Sequence, residues 1–167
     1  LNTISEISIF IFLNILLSGI VTQILKHIIG RPRPVLFNGF EQKSLSIISF
    51  DSKWHSFPSG HTATIFAFIF CMIILFPKIK NILITIAIII ASTRVIVGAH
   101  FISDIFGGAL VAYLSSIFVS KKLASKNILF TIENEKLIPN SNVNIITSYI
   151  ANVYKSIFSI YLNFNFY

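Results

Sequence analysis

Charge is what this chain has least of. Only 11% of its 167 residues are Asp, Glu, Lys or Arg, whereas 54% are hydrophobic; an average soluble domain carries about a quarter charged residues. A globule of this length cannot enclose so much apolar surface in water, so the composition excludes a soluble domain and points to a membrane protein. Cysteine is reduced to Cys71, which rules out an intrachain disulfide and a cysteine metal cluster. Lying inside an apolar run, Cys71 reads as packing. Acidic residues number six, with no aspartate-rich magnesium site and no Cys/His zinc spacing, so neither a metal nor another cofactor is expected. The net charge of +7 is scattered over loops. Without a basic stripe interleaved with aromatics, nucleic acid is excluded as a partner, and anionic lipid head groups fit better. There is no internal repeat, and the frequent Ile, Phe, Asn and Lys are compositional bias. The opening segment has no basic n-region and runs straight into a charged motif, so it is not expected to be a cleaved signal peptide.

Long apolar runs are abundant. Crossing the hydrocarbon core takes about 20 apolar residues, and four runs qualify: Ile7 to Leu25, Thr62 to Phe76, Ile82 to Val97 and Phe101 to Val119. The expected fold is an all-α polytopic transmembrane bundle of about four spans. The second and third runs are short and are extended by the polar residues at their ends, with Pro77-Lys78-Ile79-Lys80 forcing a tight hairpin between them.

Against this apolar background stand three polar stretches: Lys26 with Arg33-Pro34, then Pro58-Ser59-Gly60-His61, then Arg94 with His100 and Asp104. A phosphoryl group in transfer spreads negative charge over its equatorial oxygens and calls for fixed cations and oriented N–H donors. Lys26, Arg33 and Arg94 supply the cations. A covalent route also needs a held nucleophile and a separate acid. His100 and Asp104 are four apart, one face of a helix, so the carboxylate can accept one ring N–H and leave the other nitrogen to attack. His61 is then free to act as the acid.

Each stretch also has a plainer reading. Lys26 ends an apolar helix as a snorkelling lysine does, and Arg31-Pro32-Arg33-Pro34 is a stiff, extended exit. Pro58-Ser59-Gly60-His61 is a helix start capped by Ser59. Its free N–H groups and dipole equally make an anion site, with Gly60 letting an oxyanion approach the backbone. Ionisable groups beside membrane spans are costly unless paired, so an Arg94–Asp104 ion pair is the structural alternative for the third stretch. His27 and His55 read as interfacial, and Gly107 and Gly108 as a close helix contact.

The order and spacing resemble those of the type 2 phosphatidic acid phosphatase superfamily. Lys26 through Pro34 is similar to its Lys, six residues, Arg-Pro motif, which selects Arg33 over Arg31, and Pro58-Ser59-Gly60-His61 is identical to its middle motif. The third motif, Ser-Arg, five residues, His, three residues, Asp, appears with Thr93 in place of serine, a change that keeps the hydroxyl and adds a methyl. The resemblance covers Lys26 to Asp104 and rests on three patterns coinciding in order. It implies a metal-independent integral-membrane phosphatase that hydrolyses a lipid phosphomonoester or diphosphate through a phosphohistidine on His100. Asp104 would assist His100, His61 would act as acid and base, and Lys26, Arg33, Ser59, the Gly60 N–H and Arg94 would bind phosphate. Phosphatidic acid, phosphatidylglycerol phosphate, undecaprenyl diphosphate and lipid A are the candidate substrates. The alternatives are a phosphotransferase with a polyprenyl diphosphate donor and a catalytically silent membrane scaffold or lipid-binding protein; the related vanadium haloperoxidases are soluble and unlike this chain. The chain opens on Leu1 rather than methionine, and members more often have around six spans, so one or two further N-terminal spans are expected.

All three motifs fall on one side of the four spans. The other side carries Lys78, Lys80, Lys121, Lys122 and Lys126, against Arg31, Lys43 and Lys53 on the motif side once the three expected phosphate ligands Lys26, Arg33 and Arg94 are set apart. By the positive-inside rule the catalytic face points outward, to the periplasm of a bacterial inner membrane. Residues 1–120 form the expected transmembrane domain, with 35–57 as a loop over its catalytic face. The aromatics Phe37, Phe40, Phe50 and Trp54 of that loop rim an entrance for lipid tails or form an interfacial belt. Residues 121–167 form a polar cytoplasmic segment, with a turn at Pro139 to Asn142 and an amphipathic surface helix from Ile146.

Overall fold

The computed structural model describes residues 2–37, 45–133, 136–140, 143 and 148. Four helices dominate: α1 (Thr3–Ile29), α2 (Gly60–Leu75), α3 (Lys80–Ile96) and α4 (Ile102–Ala124), followed by a two-stranded hairpin, β1 (Phe130–Glu133) and β2 (Lys136–Pro139). The expected helical bundle is present, with each helix on one of the four apolar runs. The polar ends set its true limits. The Asn2 side chain accepts the Ser5 N–H at 2.8 Å, and Lys26 and His27 occupy the last turn of α1, where cations complement the helix dipole. Gly30, at φ 54°, closes that helix by donating its N–H to the Lys26 carbonyl. A side chain there would meet the Ser46 carbonyl oxygen at 1.6 Å, so glycine is required both for the left-handed cap and for the strand of loop that crosses it.

The inner face of α1 buries Phe10, Asn14, Ser18, Thr22 and Lys26, spaced every four residues, while Phe12, Leu16, Ile20 and Ile24 are exposed. Polar residues inside and apolar ones outside suit a lipid solvent, in which interhelical hydrogen bonds replace the hydrophobic effect. Asn14 Nδ2 donates to the Ala67 carbonyl at 2.7 Å and to Cys71 Sγ at 3.0 Å, and Ser18 Oγ to the Ala63 carbonyl at 3.4 Å.

Helices α1, α2 and α4 pack on one another, and α3 packs mainly on α2. Small residues permit the close approach: Ala63 and Ala67 of α2, Ala87 and Ala91 of α3, and Gly108 and Ala112 of α4 are all buried. Three helices are long and apolar enough to cross a membrane, and α2, at 16 residues, is shorter. At a rise of about 1.5 Å per residue α2 spans roughly 24 Å. It need not reach the head groups, because its ends lie within protein: Ser59 is 0% and Leu75 3% exposed. At its start the Ser59 N–H donates to the Asp104 carbonyl at 2.9 Å and the Thr62 N–H to Ser59 Oγ at 3.4 Å.

At the end away from the motifs the sequence suggested no strand, yet β1 and β2 pair antiparallel, Phe130 opposite Pro139. Two four-residue strands cannot stand alone in water, and these are held by docking. Leu129, Phe130 and Val143 are buried with Phe10, Leu75, Val119 and Leu123, and the Phe10 and Phe130 rings meet edge to face at 5.1 Å. Helix α4 continues through Ser120 to Ala124, with Lys121 and Lys122 in its last turn. The amphipathic helix expected from Ile146, and the loop aromatic Phe40, lie outside the described residues.

Of the two α4 glycines expected to allow close helix packing, Gly108 meets α2, whereas Gly107 faces the ring of the loop residue Phe57. A Cβ on Gly108 would sit 2.6 Å from the Ser59 carbonyl oxygen and 3.1 Å from the Ala63 nitrogen, both backbone atoms; one on Gly107 would strike the Phe57 ring at 2.5 Å. Gly108→Ala is therefore expected to destabilise the chain by about 1–3 kcal/mol, read as a lowered melting temperature in detergent. A melt indistinguishable from wild type would show that α2 and α4 are not held this close.

Candidate active site

Backbone hydrogen bonds fold the loop back onto the exit of α1. The N–H groups of Ser46, Ser49 and Ser56 donate to the carbonyls of Gly30, His27 and Arg31 at 2.8, 3.2 and 3.0 Å, and that of Arg33 donates to Lys53 at 2.9 Å. This return places Lys26 Nζ 3.2 Å from the His55 carbonyl. The ammonium also lies 3.6 Å from where a Gly60 side chain would begin, so the first stretch meets the second at the N-terminus of α2. There Ser59, fully buried, uses its hydroxyl as the cap, accepting from the Thr62 N–H at 3.4 Å and the Thr62 hydroxyl at 3.0 Å. The N–H groups of Gly60 and His61 begin the helix and have no acceptor within it. They form a donor pair beside the Lys26 ammonium.

The α3–α4 turn supplies the third stretch. The Arg94 carbonyl accepts the N–H groups of both Ala99 and His100 at 3.1 Å, and Gly98, at φ 68°, allows the chain to reverse. Five intervening residues are the length of that turn, and they bring His100 back beside the end of α3.

His100 and Asp104 are adjacent, but not as two residues on one helix face. His100 precedes α4, whose cap is Phe101, and the pair meets because Asp104 turns back over the helix start to accept the Phe101 N–H at 2.8 Å. His100 Nδ1 lies 3.5 Å from Asp104 Oδ2, with the two side chains 4% and 0% exposed. Asp104 also joins the other stretches. Its carbonyl accepts the Ser59 N–H at 2.9 Å, Ser56 Oγ donates to Oδ2 at 2.5 Å, and Arg31 Nη1 donates to Oδ1 at 2.6 Å.

That last contact corrects the structural alternative raised for Arg94. The ion-pair partner of Asp104 is Arg31; among the described residues the Arg94 side chain makes no hydrogen bond or ion pair. Arg33 donates through Nε to the Ser52 carbonyl at 3.1 Å. His61 is exposed and stands within the electrostatic reach of Arg94, His100, Lys26 and Arg33. The structure thus gathers all the singled-out residues at one end of the bundle. Thr93, which replaces the motif serine, turns its hydroxyl back to the Ile90 carbonyl at 2.7 Å. Among the loop aromatics, Phe50 is 82% exposed, and Phe37 meets Phe101 edge to face at 5.6 Å.

Beside His100 opens a cleft of about 460 Å³, lined also by Arg31, Pro34, Val95, Gly98 and Phe101. Arg31 and Ser56 were not picked out from the sequence. Arg31 lies in the same Arg-Pro-Arg-Pro run as Arg33, and Ser56 stands two residues before Pro58, so proximity to the motifs was their one signal. The His27 and His55 rings meet at a tilt of 55°, with 4.4 Å between their centroids.

The pattern of the PAP2 superfamily matches residues 8–127. This chain belongs to the PAP2 superfamily. It is 35% identical over 127 residues to the lipid A 1-phosphatase of Rhizobium johnstonii, covering 76% of this chain and 52% of that protein. It is likewise 35% identical over 127 residues to the lipid A 1-phosphatase of Rhizobium etli, covering 76% and 55%. The chain spans about half the length of these curated relatives. No solved structure matches it.

Because Asp104 is wholly buried and joined to Arg31, Ser56 and Phe101, Asp104→Asn removes a charge-assisted bond and turns an NH₂ group toward donors. A loss of about 1–3 kcal/mol is expected, measured by thermal or denaturant unfolding in detergent. Unfolding unchanged by the substitution would mean that these contacts contribute nothing to the fold.

Proposed function

We propose that this PAP2 chain is an integral-membrane phosphatase that removes a phosphate from a lipid head group, with the 1-phosphate of lipid A as its substrate. The observation that carries the reading is the convergence of Lys26, Arg33, Arg94 and the start of α2 on His61 and on a buried His100–Asp104 pair. The names of the two Rhizobium relatives favour the lipid A 1-phosphate over other lipid phosphates.

His100 Nδ1 faces Asp104, so the attacking atom is Nε2. A new N–P bond forms as the P–O bond to the lipid breaks. The electron pair leaves on the lipid oxygen, and His61 gives it a proton. The phosphoryl group then rests on His100 with the imidazole held by Asp104. Water, losing its proton to His61, attacks phosphorus and releases inorganic phosphate and free His100. Lys26, Arg33, Arg94 and the N–H groups of Gly60 and His61 surround the position where the equatorial oxygens develop charge. Ser59 acts on this cradle by capping the helix that presents it. The scheme calls on no metal, and charge neutralisation falls to Lys26, Arg33 and Arg94. The catalytic end faces outward, because Lys78, Lys80, Lys121, Lys122 and Lys126 lie at the other end. Residues 1–120 carry the catalytic domain, and 121–167 lie on the cytoplasmic side.

Detergent-purified wild type is expected to release phosphate from lipid A in EDTA, faster than from phosphatidic acid, phosphatidylglycerol phosphate or undecaprenyl diphosphate, and His100→Ala to lower turnover at least about a thousandfold. Turnover that collapses in EDTA would falsify the metal-free scheme, and a preferred lipid other than lipid A would replace the substrate. For orientation, Ile47, 72% exposed, and Lys126 lie at opposite ends. A cysteine placed at Ile47 is expected to react with an impermeant maleimide on intact cells and one at Lys126 only after lysis; the reverse pattern inverts the topology.

A further inference from the structure

We propose that Arg31 and Ser56 form a two-point clamp that positions the Asp104 carboxylate for His100, so that Arg31 serves as a positioning residue and not as a phosphate ligand. The inference rests on His100 acting as the nucleophile.

The cations near the site divide by what they face. Lys26 and Arg33 donate to carbonyls, those of His55 and Ser52, and the Arg94 side chain makes no hydrogen bond or ion pair among the described residues. Their positive charge is left over for an incoming anion. Arg31 alone among them has a carboxylate partner, at 2.6 Å. Its guanidinium is further fixed by Ser103 Oγ at 2.7 Å and by lying 4.3 Å over the Phe101 ring. All of these contacts belong to the cap and first turn of α4, the segment that carries Asp104.

Ser56 holds the other oxygen. Its hydroxyl donates to Oδ2 at 2.5 Å, and its own N–H donates to the Arg31 carbonyl at 3.0 Å, so the backbone ties the two halves of the clamp together. With donors on both oxygens the carboxylate cannot rotate. Oδ2 is kept 3.5 Å from His100 Nδ1, a buried nitrogen that has no hydrogen-bond partner. A shift of a few tenths of an ångström brings that contact within hydrogen-bond range. The clamp therefore fixes which imidazole nitrogen is held and which is free to attack, as an orienting carboxylate does in other nucleophile–base–acid arrangements.

The test compares wild type with Arg31→Gln, Arg31→Lys and Ser56→Ala, each as the full chain in detergent, by kcat and KM on the best lipid of the panel above. For Arg31→Gln, kcat is expected to fall about 10- to 100-fold and KM to stay within about twofold. Arg31→Lys should restore most of kcat, and Ser56→Ala should lower kcat about tenfold with KM unchanged. A raised KM with kcat intact would make Arg31 a phosphate ligand and overturn the clamp, as would Arg31→Gln kinetics like wild type. Should Arg31→Gln fail to fold, Ser56→Ala and Arg31→Lys decide alone, and wild-type kinetics in both would overturn it. A wild type silent on every lipid removes the phosphatase reading itself and the clamp with it, an outcome distinct from an active wild type with insensitive variants.

Discussion

A carboxylate shut away from water must collect its donors from whatever protein surrounds it, and around Asp104 this requirement assembles the end of the bundle that carries the motifs. Arg31 reaches it from the exit of α1, Ser56 from the returning loop and Phe101 from the cap of α4, while its carbonyl takes the Ser59 N–H ahead of α2. The exit of α1, the loop from Ser56 to Ser59 and the cap of α4 are thus tied to one residue. Loss of any one partner would leave a buried charge short of a donor, a far larger cost than the same loss at a surface. The close approach of α4 to α2 at Gly108 serves the same junction, because a side chain there would push Asp104 away from Ser59.

The rest of the bundle follows from its solvent. Lipid offers no hydrogen bonds, so the inner face of α1 spends Asn14 and Ser18 on α2 carbonyls, and small residues bring the helices close enough for those bonds to form. Only near the site does this interior ladder become charged, at Lys26. Helix α2 can be short because its N-terminus is wanted inside the protein, where its free N–H groups act in a low dielectric.

The helices were legible from apolar run length, and their ends less so, because caps and terminal charges rather than hydropathy decide them. Asn2 and Gly30 lengthen α1, and the basic last turn lengthens α4. The hairpin was not legible: four-residue strands carry too little periodicity, and their stability comes from docking Phe130 on Phe10. The candidate site residues were singled out by type and spacing, since phosphoryl chemistry demands cations, a nucleophile and an acid. Their pairing was not legible. The ion pair weighed as the structural alternative joined Arg94 to Asp104, yet Arg31 makes it. The His100–Asp104 spacing suggested a helix face and turned out to be a helix cap.

What the sequence alone determined is therefore the solvent, the number of helices, the end of the bundle at which the polar motifs gather and the inventory of charged groups, because hydropathy and spacing are local properties. Which cation meets the buried Asp104 carboxylate, which hydroxyl caps and which clamps, and how closely α4 approaches α2 were decided only by the tertiary structure. Those outcomes depend on distances between residues such as Arg31 and Asp104 that lie far apart along the chain, and a linear pattern does not specify them.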